Sequence, residues 1–158
     1  MAHERSRQLR TIWMAMLLAI AFYWLIKIRV TSRASSVEWP AFLPVMLMAL
    51  AAGDYLLGWW WYQRMVGQAS KQLTATALHQ LPAAERQQLA DRVFSSVIAC
   101  FACLEMPVLL GLINSFGRST YPRLFEALAL TSLAGLIFFR VALLPGIERI
   151  FQLLETSA

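Results

Sequence analysis

A chain of 158 residues that is 59% hydrophobic and only 15% charged, with a mean hydropathy of +0.56, is too apolar for a water-soluble domain of its size. Its net charge of +5 would suggest nucleic acid in a soluble protein, but the basic residues cluster at the ends of apolar runs. There they read as anchors to lipid headgroups, which excludes nucleic acid as a partner and makes the bilayer the expected solvent.

A hydrocarbon core of roughly 30 Å needs about 20 mainly apolar helical residues to cross it. The first stretch long enough is Ile12–Ile26, extended to Val30. Its basic start resembles a signal peptide, but Tyr23-Trp24-Leu25-Ile26-Lys27 offers no small-residue cleavage site, so it is expected to remain as a span. A short polar loop, Thr31–Pro40, leads to the second span, Ala41–Tyr62. The longest connection, residues 64–92, follows. Within it Pro82 stands at a helix start before Ala83-Ala84-Glu85-Arg86, which predicts that the third helix begins in water and runs into the membrane as Val93–Ile113. A turn rich in breakers, Asn114–Pro122, precedes the fourth span, Leu124–Leu144. Pro145-Gly146 predicts a break there, and 147–155 reads as a short amphipathic helix on the membrane interface.

The fold class expected is all-α: one integral membrane domain over 1–158, with four transmembrane helices arranged as two antiparallel hairpins. Arg5, Arg7, Arg10, Arg64, Lys71, Arg86, Arg92, Arg140 and Arg149 fall on one side; Lys27, Arg29, Arg33, Arg118 and Arg123 fall on the other. The richer side is expected to be cytoplasmic, with both termini and the central loop inside. Trp13, Trp39, Trp59-Trp60-Trp61-Tyr62 and Tyr121 fall near the span limits, where amphipathic rings sit at the interface.

An ionised side chain at the bilayer centre costs about 2.5 to 3.5 kcal/mol on insertion scales, so it needs a partner, a proton or a wet cavity. Asp54 in the second span and Glu105 in the third meet that description. In antiparallel helices they should differ in depth by about one turn, so they could share a site. Two readings stand. In one, the carboxyls carry a proton or a cation; in the other, they form an interhelical polar tie to each other or to Arg140 of the fourth span. Pro107 frees the carbonyl of Cys103 beside Glu105 and predicts a packed kink.

Cys100 and Cys103 form a C-x-x-C with no second pair and no nearby His, so they read as small packing residues and not as a metal or redox site. Both lie inside the third run, which excludes a disulfide framework. The small residues Ala49, Ala52, Gly53 and Gly58 of the second span, with Ala127, Ala134 and Gly135 of the fourth, are suited to close helix contact. His3 and His79 lie outside every span. No phosphate loop, H-E-x-x-H, haem attachment or nucleophile elbow is present. No cofactor, no metal and no catalytic residue is therefore assigned, and an enzyme is not expected.

The run Cys103-Leu104-Glu105-Met106-Pro107-Val108-Leu109-Leu110-Gly111-Leu112 resembles the carboxylate-bearing helix of the proteolipid subunits that form the rings of rotary ATPases. It is also similar to small bacterial four-span membrane proteins that share this helix and end the last span in aromatic-Pro-Arg. Phe138-Phe139-Arg140 stands at that place, with Phe139 where the proline would be. The resemblance covers roughly a quarter of the chain by motif. It implies a proton- or sodium-carrying carboxylate at Glu105 and a bacterial cytoplasmic membrane. The expected function is an accessory or structural subunit of a membrane assembly, partnered by lipid, by other subunits or by copies of itself. The alternative is a proton- or cation-handling component.

Overall fold

The computed structural model describes residues 2–31, 38, 40–75, 82–116 and 123–156. The elements among them are helical: α1 (Ala2–Thr31), α2 (Phe42–Ala75), α3 (Ala83–Asn114), α4 (Leu124–Phe138), a π-helical turn (Phe139–Leu143) and α5 (Leu144–Thr156). Among the described residues four stretches are long and apolar enough to cross a membrane: Glu4–Val30, Phe42–Ala69, Ala83–Asn114 and Leu124–Leu154. The four-helix, multi-pass architecture expected from hydropathy is the architecture found.

α3 is the central helix. It packs on α1, α2, α4 and α5, and 44% of its most apolar window is buried, against 11% for α1. Val93, Val97, Cys100, Phe101 and Val108 of α3 join Phe125, Ala129 and Leu136 of α4 in the main core. Phe101 and Phe139 meet there with ring centroids 4.6 Å apart. α1 runs parallel to α3, pairing at Arg5–Asp91 and Tyr23–Glu105, and packs chiefly on α3, α4 and α5. α2 and α4 pack on α3, their neighbour along the chain, whereas α1 passes over its chain neighbour α2 and packs on α3, α4 and α5.

Two boundaries differ from the sequence expectation and one agrees with it. α2 does not stop near Tyr62 but continues to Ala75, so 64–75 is helix and not loop. Val66 and Ala69 on this extension are buried in the same cluster as Leu9, Ala90 and Val93, so α1, α2 and α3 share one continuous core there. The third helix does begin at Ala83, with Pro82 as its N-cap. Pro145-Gly146 does not break the fourth span. The Leu144 amide bonds the Phe139 carbonyl five residues back, and this π-helical turn precedes Pro145, which lacks an N–H for a regular helical bond. Helix then resumes, and Ile147, Ile150, Phe151 and Leu154 enter the main core. The tail is thus a packed continuation of the fourth span and not a separate surface helix.

Several hydroxyls within and at the ends of the helices bond backbone carbonyls of their own helix, as an apolar solvent favours. Ser96, Ser115 and Thr131 bond the carbonyls of Arg92, Gly111 and Ala127, each four residues earlier, at 2.7, 3.2 and 2.7 Å.

Candidate functional site

α1 is fastened along its length by side-chain polar bonds. Arg5 donates to Asp91 of α3 at 2.7 Å, and Arg10 to Glu148 of α5 at 2.9 Å. The Trp13 indole donates to the Leu136 carbonyl of α4 at 3.0 Å, and the Tyr23 phenol to Glu105 of α3 at 2.8 Å. Lys27 forms an ion pair with Glu126 in the first turn of α4, where a carboxylate also favours the positive helix end. The Arg10 and Lys27 pairs lie seventeen residues apart on α1. That is about 26 Å at 1.5 Å per residue, close to the hydrocarbon thickness. The two ion pairs therefore bracket the span, and Tyr23–Glu105 lies between them.

Helices in lipid gain nothing from hydrophobic burial against one another, so packing and polar bonds must hold them. α1 buries little of its apolar surface, which gives its polar bonds a larger share of its attachment. Tyr23 and Lys27 are one turn apart on α1, so the Glu105 and Glu126 carboxylates approach neighbouring positions on a single helix face. Trp24 and Phe125 enclose the Lys27 end: their rings meet edge to face at 5.3 Å, and the ammonium lies 5.9 Å from each centroid.

The three residues singled out in the sequence do not form one site. Among the described residues no hydrogen bond or ion pair joins Glu105 to Asp54 or to Arg140; the partner of Glu105 is Tyr23. The reason is angular. The Cys100 thiol donates to the Gly58 carbonyl at 3.4 Å, and Cys103 lies against Gly58, so that side of α3 faces α2, the helix carrying Asp54. Glu105 is two residues beyond Cys103, about 200° around the helix, and faces α1 instead. A depth difference of about one turn left the two carboxylates within reach of each other; helical phase puts them on opposite sides of α3. Arg140 lies on the π-helical turn with its guanidinium 6.0 Å from the Trp13 ring. Asp54 is half-buried and makes no hydrogen bond or ion pair among the described residues.

Tyr23 and Glu126 were missed in the sequence because each looked ordinary: a tyrosine inside an apolar run, and a glutamate just inside a span. In the sequence Lys27 carries only a topology signal. Both cysteines are free and sit at helix contacts. Among the described residues no group of three or more His, Cys, Asp or Glu lies close enough to hold a metal ion. Comparison with protein families, with curated proteins and with solved structures returns no match to the chain.

Proposed function

We propose that this chain is a non-enzymatic accessory or structural subunit of the bacterial cytoplasmic membrane, working through helix contacts with other subunits or with copies of itself. The observation that supports this reading is the Tyr23–Glu105 bond: the most conspicuous intramembrane carboxylate is committed to a neighbouring helix of its own chain. Lys27 and Glu126 are committed in the same way, and Arg140 lies against an aromatic ring. Charges used as ties between helices fit a scaffold better than an ion path, which needs groups that open onto one another.

A second reading, proton or cation handling, draws on Asp54. A carboxylate midway along a span that makes no hydrogen bond or ion pair among the described residues is the sort of group an ion pathway uses. The proteolipid likeness favours Glu105 in the same role. One reconstitution separates the readings. In sealed vesicles the wild-type chain is expected to pass neither protons nor sodium above the level of empty vesicles. Glu105→Gln, whose amide still accepts from Tyr23, is expected to leave the bundle assembled. A wild-type flux that Glu105→Gln abolishes, in a variant that still assembles, would sink the accessory reading.

The same proposal places both termini in the cytoplasm, supported by the nine-to-five division of Lys and Arg between the two sides. A tag inserted at Ser35 should react only with a reagent added from outside intact cells. Reaction confined to permeabilised cells reverses the orientation.

A further inference from the structure

A cavity of about 310 Å³ lies between α2, α3 and the α4 π-helical turn, partly open to the surroundings of the bundle. Its walls include Leu56, Trp59 and Tyr62 of α2, Leu104 of α3, and Phe138 and Leu143 of the fourth span. Tyr55, Cys100 and Cys103 also line it, and their polar atoms contribute little of its surface. The Tyr55 hydroxyl is buried, and the Cys100 thiol is engaged by the Gly58 carbonyl. A ring bearing several carbonyl or hydroxyl groups would find little to bond there, whereas a hydrocarbon chain brings no polar atom of its own that needs a partner.

The position along the helices supplies the rest of the ligand. Phe42 to Trp60 covers eighteen residues, or about 27 Å, so the Tyr62 end of the cavity lies near an interface. Just beyond that end, α2 carries Arg64 and α5 carries Arg149, and the two helices pack on each other. Both arginines are exposed, and neither forms an ion pair among the described residues. The Arg64 guanidinium rests 5.2 Å from the Trp60 ring. Cationic groups at headgroup level complement a phosphate, and the apolar cavity at chain level complements an acyl tail.

We propose that this cavity is a binding site for one anionic phospholipid, with an acyl chain seated between α2, α3 and α4 and its headgroup at the Arg64–Arg149 level. This inference does not depend on the role of Glu105.

Native mass spectrometry tests it on the whole chain released from nanodiscs made of equal amounts of phosphatidylglycerol and phosphatidylcholine. The wild type should keep one phospholipid per chain under activation that strips loosely held lipid, with phosphatidylglycerol favoured several-fold. Leu56 is 70% exposed at the cavity wall, and Leu57, 53% exposed, is not part of that wall. Leu56→Trp should therefore lower retention several-fold, while Leu57→Trp, the same chemical change one position on, should leave it unchanged. Replacing Arg64 and Arg149 by Gln should erase the preference for phosphatidylglycerol. Loss of retention in both Trp variants alike, or in neither, overturns the seat. Equal retention of the two lipids by the wild type overturns the headgroup assignment. A lipid-free particle of twice the chain mass gives the cavity to a second copy and overturns the proposal as a whole.

Discussion

Gly111→Ala should destabilise the bundle by about 1 to 3 kcal/mol, the usual range for an overpacked helix contact. A Cβ added at Gly111 would lie 2.9 Å from the Cα of Phe125 and 3.4 Å from the Cβ of Leu128. The first of these is backbone, which cannot rotate away, so α3 and α4 must move apart at their connected ends. Phe125 is fully buried and edges onto Trp24, so the displacement would also disturb the seat of the Lys27–Glu126 pair. Gly53 supplies the control, because nothing lies within 4 Å of a Cβ built there. Gly53→Ala should be neutral or stabilise by up to about 1 kcal/mol, the helix-propensity difference between the two residues. Thermal unfolding in lipid nanodiscs measures both. Equal stability of the two variants would show that the α3–α4 contact is slack.

This contrast shows what the sequence could and could not reveal. Four long apolar runs made the spans and the helical class legible, because a bilayer admits few alternatives. The sequence singled out Gly53, Gly58 and Gly135 for close contact and passed over Gly111. Gly58 and Gly135 do meet α3, at Cys103 and Leu104, whereas Gly53 meets nothing and Gly111 makes the tightest approach to backbone. Lipid and a neighbouring helix are equally apolar, so hydropathy does not distinguish a lipid-facing side from a packed one. The same blindness misplaced the Glu105 partner. Depth follows from counting residues, but facing depends on how α3 is rotated, and that is set by Gly58 against Cys103 and Gly111 against Phe125. The break expected at Pro145-Gly146 failed for another reason: Ile147, Ile150, Phe151 and Leu154 gain more by entering the core than the chain loses by a π-helical turn.

The Lys27–Glu126 pair should carry the largest polar contribution to the attachment of α1. The two side chains retain 17% and 30% of their exposure, and the second carboxylate oxygen, Oε2 of Glu126, is buried with no hydrogen-bond partner. Removing one member of a fully buried pair costs about 3 to 5 kcal/mol, mostly because the other charge is stranded. Partial exposure reduces that, so Lys27→Met should cost about 2 kcal/mol. Glu126→Gln introduced into the same chain removes the stranded charge, and the double variant should recover most of the loss. Arg5–Asp91 provides the opposite case, since Asp91 is 60% exposed and the pair lies beyond the span-bracketing pairs. Arg5→Gln should therefore cost less than about 1 kcal/mol. The measurement is a double-mutant cycle on unfolding in nanodiscs, with helicity followed by circular dichroism. If the double variant is no more stable than Lys27→Met alone, the penalty is not that of a stranded carboxylate. The ammonium placed over the Trp24 and Phe125 rings would then hold this end of α1 in place of the ion pair.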